Sequence, residues 1–216
     1  VKILALSDEV VESLYRPEVK DRFGDVDVIL ACGDLPYFYL EFMLTMLGKP
    51  LYYVHGNHDK PRQYLSDGRI IDRAEGCEPI EDRVAQVSAA KGQLLVAGLG
   101  GSIRYNPGPH QYTQAEMAAR ALRLTPALLA NRVRHGRYLD VLITHAPPRH
   151  IHETGDRAHV GFEAFCRLMD QFHPRFLLHG HAHVYRNDAV TATRYKETQV
   201  LNVYPYRVIE FEKDYV

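Results

Sequence analysis

The sequence predicts an α/β domain built on a mixed sheet system, and three observations carry that reading. Short runs rich in Val, Ile and Leu recur along the chain and stop abruptly at polar or glycine-containing turns. Helix-like segments lie between them. Towards the C-terminus, strand-like segments come one directly after another, so the sheets are expected to be mixed.

The runs are Lys2 to Leu6, Val26 to Ala31, Leu51 to Val54, Leu94 to Ala97, Val141 to Ile143 and Phe176 to Leu178. Continuous apolar runs of this length read as strands covered on both faces, because a half-exposed strand alternates with polar residues. Helices are expected over Tyr39 to Leu47, Gln114 to Leu124, Pro126 to His135 and Phe162 to Phe172, the second opened by a capping box of Thr113 and Glu116. Consecutive strands are expected around Val184 to Ala192, Gln199 to Val203 and Arg207 to Phe211. Gly100 to Tyr112, with three glycines and two prolines, reads as a long functional loop.

At 216 residues the chain is long enough for a substantial core and fits one domain. No repeat, low-complexity stretch or Gly/Ser linker divides it. Lys and Arg number 26 against 27 Asp and Glu, a net charge of -1, so no global bias favours nucleic acid or an anionic membrane. Any phosphate affinity must be local. Cys32, Cys77 and Cys166 lack the paired spacing of a thiolate zinc site or a disulfide framework and fit a reducing, cytoplasmic setting. The apolar run at Val1 to Leu6 is too short for a secretory signal or a membrane span.

The chemistry sits at the polar residues directly after each run. Ser7-Asp8 succeeds the first, Gly33-Asp34 the second and Gly56-Asn57-His58-Asp59 the third; Thr144-His145 and Gly180-His181-Ala182-His183 succeed the fifth and sixth. Ligands gather at the carboxyl ends of strands in α/β folds, so residues far apart in sequence can converge there. Carboxylates, an amide oxygen and imidazoles form an oxygen and nitrogen shell suited to Mn, Fe or Zn. A carboxylate that uses both oxygens can bridge two cations, which together hold phosphoryl oxygens and acidify a water; Asp34 is the candidate bridge. Gly33, Gly56 and Gly180 stand where a strand must turn sharply. His181 and His183, two apart, point to one side of an extended segment.

Asp8, Gly33-Asp34, Gly56-Asn57-His58-Asp59, His145 and Gly180-His181-Ala182-His183, in this order, resemble the motif set of calcineurin-like metallophosphoesterases. The resemblance spans nearly the whole chain and implies a sandwich of two mixed sheets flanked by helices, with the site at one edge. It further implies one metal on Asp34, Asn57, His145 and His181 and a second on Asp8, Asp34 and His183. His58 would be the phosphate binder or proton donor, in keeping with an imidazole that titrates near neutral pH.

One position departs from that pattern. The family's first motif is Asp-x-His, whereas Asp8-Glu9-Val10 ends in a residue that cannot coordinate. Gly33-Asp34-Leu35-Pro36-Tyr37 resembles the GDxxY motif of the purple acid phosphatase branch, where the tyrosine binds ferric iron. Tyr37 is therefore a candidate ligand that would favour iron, with packing at the start of the adjoining helix as its other reading.

The residues imply hydrolysis of a small phosphorylated ester, monoester or diester, by a water activated at two metals. Arg104, Tyr105 and His110 on the glycine-rich loop are candidate substrate contacts, as are Arg149, His150 and His152. Asp59 is expected to support the ligands or start a helix, and Asp156 and His159 to cap or pack. The competing readings are a non-catalytic scaffold that has lost a ligand, as Val10 suggests, and a two-metal hydrolase of amides or lactones.

Overall fold

The computed structural model describes residues 1–64, 68–89, 92–184 and 189–211. In one sheet β1 (Lys2–Leu6), β2 (Val28–Ala31) and β3 (Leu51–Tyr53) run parallel. The hairpin of β4 (Gln63–Tyr64) and β5 (Ile70–Ile71) comes after β3, and the short β6 (Glu78–Pro79) adds to the β3 edge. The second sheet begins with the antiparallel pair β7 (Val84–Ala89) and β8 (Gly92–Leu99). The pieces β9 (Ser102–Ile103) and β10 (Gln111–Tyr112) pair within the glycine-rich loop. Beyond β8 the second sheet continues in parallel through β11 (Val141–Thr144) and β12 (Phe176–His179). Its edge strand β13 (Ala192–Tyr195) runs antiparallel to β14 (Thr198–Asn202), which pairs in parallel with β12. Finally β15 (Tyr206–Glu210) returns to the first sheet, antiparallel to β1.

Three apolar clusters show the layering. Ile3, Ala5, Val28 and Leu30 meet Val96, Val141, Ile143 and Leu178 between the two sheets. The alternate residues Leu4, Leu6, Ile29 and Ala31 pack on α1 (Val19–Phe23) and α2 (Tyr37–Leu47). On the far side, Ala97, Leu99, Leu142 and Leu177 pack on α3 (Gln114–His135) and α4 (Glu163–Phe172). Each central strand is buried on both faces, which is why its sequence is apolar without alternation. The expected sandwich of two mixed sheets flanked by helices is the architecture observed.

Three expectations are adjusted. The two helices separated at Pro126 are one, α3, with Pro126 inside it. The hydrogen bond that Pro126 removes would go to the carbonyl of Leu122, on the exposed side, while the buried stripe of Met117, Ala121, Leu124 and Leu128 runs past it unbroken. The capping box at Thr113 and Glu116 forms as expected. The helix expected from Tyr39 starts two residues earlier, at Tyr37. Residues 185–188 of the strand expected over Val184 to Ala192 lie outside the described residues, and the strand of this region begins at Ala192. No described helix is long and apolar enough to cross a membrane.

A buried ionic clasp fixes the loops near the strand ends. Glu81 accepts from the backbone N–H of His55 at 2.6 Å and of Gly100 at 3.1 Å, and from Arg120 at 2.6 Å. Arg120 also donates to the Gly100 carbonyl and to Asp82, both at 2.8 Å, and lies over the Tyr112 ring. Burial opposes charge on Glu81, yet His55 and Arg120 hold its pKa down to about 2. A depressed carboxylate pKa gives stability that is present above its ordinary 4.5 and is lost as pH falls towards 2. Glu81→Gln is accordingly expected to lower unfolding stability by roughly 3 kcal/mol at neutral pH. In denaturant titrations that gap should narrow as the pH falls below 4.5.

Candidate metal centre

The parallel strands of the two sheets end at one edge, and the residue after each end turns into the gap. Asp8, Asp34 and His181 all adopt left-handed backbone, with φ of 67°, 55° and 64°. This conformation is disfavoured by a Cβ and is found where the surroundings over-determine it. Here they do. Asp8 N–H donates to the Gly33 carbonyl at 3.1 Å, His181 N–H donates to the Asp8 carboxylate at 2.9 Å, and Gly180 N–H donates to the His145 carbonyl at 3.1 Å. The sharp turn assigned to glycine is thus taken at Gly33 but otherwise falls on the functional residues themselves. Gly56 and Gly180 are required for close approach, since a Cβ would collide with the Asp34 carboxylate in one case and with Ser7 and Asp8 in the other.

Asp34, His145 and His181 bring one ligand atom each within 4.8 Å of one another. His145 Nε2 lies 3.2 Å from Asp34 Oδ2 and 3.0 Å from Asn57 Oδ1, while its Nδ1 donates to the Cys32 carbonyl at 2.8 Å. With both N–H groups donating the ring is an imidazolium; burial opposes that charge, but Asp34 and Asp8 overcome it and lift the pKa to about 10. Relieved of that proton, Nε2 is a ligand atom already aimed at Asp34 and Asn57, with the ring held from behind as metal-binding imidazoles are. His181 donates from Nε2 to the Ala158 carbonyl at 2.9 Å, which leaves Nδ1 as its lone-pair nitrogen. Burial and the neighbouring His145 push its pKa down to about 3, so it is neutral.

The second cluster adjoins the first. His183 Nε2 lies 3.4 Å from Asp8 Oδ1, an interaction that raises the imidazole pKa. Burial opposes charge on Asp8, but His183 and His145 hold its pKa below the ordinary value. The His183 ring stacks on Tyr204, whose hydroxyl donates to Glu9 at 2.7 Å. The donor types of Asp34, His145 and His181 suit a metal ion, with Asp8 and His183 close by.

Backbone anchoring joins the two turns of the first sheet. Asp59 Oδ2 accepts from Asp34 N–H at 2.9 Å and from Gly56 N–H at 2.7 Å, and His58 N–H donates to Asp34 Oδ1 at 2.8 Å. Burial, with Asp34 nearby, pushes Asp59 up to about 6. The supporting role expected of Asp59 is the one its hydrogen bonds describe, and it starts no helix. The His58 side chain is exposed beside this turn.

The remaining candidates divide. Tyr105 reaches the group, its hydroxyl accepting from Asn57 Nδ2 at 3.1 Å. Arg104 is engaged by Glu116 at 2.8 Å, and His110 stacks face to face on His55 at 4.7 Å. Tyr37 is buried at the start of α2, donates to the Asp72 carbonyl at 3.0 Å and lies 3.1 Å from His55 Nε2. Burial also raises its pKa above the ordinary phenol value. Its contacts in this structure are those of the packing reading. Val10 packs against the helix-side core. Arg149 pairs with Glu153, His152 hydrogen-bonds His179 at 2.8 Å, and His150 is 78% exposed 4.0 Å from Glu153. Asp156 caps the backbone of Ala158 and His159. Absent from the sequence-derived set are Lys60 and Arg62, whose signal was their place directly after the Gly-Asn-His-Asp string.

The architecture is an α/β/β/α sandwich in which carboxylates, an asparagine and imidazoles gather at one edge as a candidate metal site. The chain belongs to the calcineurin-like phosphoesterase family, whose model matches residues 3–185. The family implies metal-dependent phosphoester hydrolysis. Among solved structures, TT1561 of Thermus thermophilus aligns with a TM-score of 0.59 at 16% identity, over 94% of this chain and 88% of that one. A second aligns with a TM-score of 0.57 at 14% identity, over 94% of this chain and 90% of that one. These likenesses show the fold. A sequence comparison with curated proteins gives no match.

If Tyr37 is a packing residue, Tyr37→Phe will keep the metal content of the wild type, measured by plasma emission, and neither protein will show a visible charge-transfer band. A band in the wild type that Tyr37→Phe abolishes would restore the tyrosinate ligand.

Proposed function

We propose that this chain hydrolyses phosphate esters at two divalent cations, Mn, Zn or ferrous iron. One would be held by Asp34, Asn57, His145 and His181, the other by Asp8, Asp34 and His183. The observation that carries this reading is the convergence of Asp34, His145 and His181 within 4.8 Å, with Asn57 beside them, in a chain of this family. Bound cations neutralise phosphoryl oxygens and acidify the attacking water. The residues of the chain do the rest. Asp34 and Asp8 place negative charge where cations are needed, and Asn57, steadied by Tyr105, presents its oxygen to the same point. His58, fixed through its backbone and exposed at its side chain, would hold the phosphate and give a proton to the leaving oxygen. The free cysteines support a reducing setting.

Asp34→Asn and His181→Ala are each expected to lower kcat on para-nitrophenyl esters by on the order of a thousandfold while circular dichroism shows a folded protein. Full activity in both would sink the proposal, and an inactive wild type that binds metal would favour the scaffold reading that Val10 supports.

The position lacking its histidine has one protein ligand fewer. Calorimetric titration should therefore resolve a tight and a weaker cation, and Val10→His should strengthen the weaker one by about tenfold or more. Two equal steps unaffected by the substitution would contradict this assignment.

A further inference from the structure

We propose that the cleft beside Asp34 and His58 is a second anion subsite, which binds a phosphate or carboxylate carried by the substrate a few atoms away from the ester that is cleaved. This deepens the phosphoesterase reading and rests on it for the identity of the neighbouring centre. The cleft has a volume of about 480 Å³ and its lining includes Asp34, His58, Lys60, Arg62 and Tyr64. One space therefore joins the hydrolytic residues to two cationic side chains.

The cations in that space differ from those of the neighbouring loop and helix in having no ion-pair partner among the described residues. Arg104 is matched by Glu116, Arg120 by Glu81 and Asp82, and Arg123 by Asp82. Lys60 and Arg62 are exposed, and among the described residues neither has an ion pair or hydrogen bond. The carboxylates of the same cleft are engaged elsewhere: Asp59 accepts two backbone N–H groups, and Asp34 belongs to the metal centre. Two positive side chains thus line the cleft without a partner among the described residues.

Their position is set from both ends. Asp59 ties this segment to the turns of Asp34 and Gly56, and Lys60 is the next residue along. Beyond Arg62, Gln63 and Tyr64 pair with Ile71 and Ile70. The cations are therefore carried on a short pinned segment. A guanidinium offers a planar fork to a phosphate or carboxylate, and an ammonium adds a point charge. Tyr64, 77% exposed on the same wall, gives the spacer between the two anionic groups an aromatic face.

The test is calorimetric binding of trimethylene bisphosphate, O-phosphohydroxypropionate and propyl phosphate to the purified protein, together with their inhibition of ester turnover. Both two-anion ligands should bind about tenfold more tightly than propyl phosphate, and their order shows whether the distal group is read as phosphate or carboxylate. The preference should vanish in K60M/R62M. It should persist in K20M/R134M, which removes the same charge from α1 and α3. Equal binding of all three ligands, a preference that survives K60M/R62M, or one that K20M/R134M also removes overturns the subsite. An absence of ester turnover would instead count against the hydrolytic reading, and the calorimetry would still decide the subsite.

Discussion

Two carboxylates held away from water govern this structure. The side chains of Asp8 and Asp34 are only 1% and 7% exposed, and a buried anion without compensation costs several kcal/mol. The surroundings answer that cost with positive charge and donors: His145 and His183 beside the carboxylates, and the backbone N–H groups of His58 and His181 directed at them. The same arrangement that neutralises two anions with protons can neutralise them with cations.

The sandwich makes such a placement possible. Parallel strands deliver their ends to one edge, so β1, β2 and β3 of one sheet and β11 and β12 of the other release their chains at a common gap. The left-handed turns at Asp8, Asp34 and His181 are unfavourable in isolation and persist because contacts from both sheets hold them. Cys32 shows the linkage: its carbonyl accepts from His145 and its Sγ donates to the Leu178 carbonyl, so one residue of β2's end holds both neighbouring strands. Asp59 and Glu81 perform the same service for the loops, each accepting from two backbone segments at once.

The imidazoles at this edge differ in exposure. His145 is sealed and His181 nearly so, whereas His58 and His183 reach solvent. The proposed ligands thus range from the sealed His145 to His183 at the mouth, beside the exposed His58. The cleft on the His58 side adds cations exposed on a segment pinned at both ends.

Much of this was legible locally. An apolar run followed by a glycine and a carboxylate or imidazole marks a buried strand and its end, and Asp8, Asp34, Asn57, His145, His181 and His183 could be named from that alignment of hydrophobicity with donor type. The capping box at Thr113 is a short-range hydrogen bond and was equally plain. At Tyr37, Arg104 and His110 a motif names a residue without saying which way its side chain faces; here they meet Asp72, Glu116 and His55. Pro126 was read as a break because the local cost was visible and the compensating core stripe was not. The sequence by itself determined the central strands, their burial on both faces and the donor types at their ends, since these depend on local composition. Tertiary structure alone decided which side chains meet: His145 finds the Cys32 carbonyl 113 residues away, and contacts at that separation exist only once two sheets have packed.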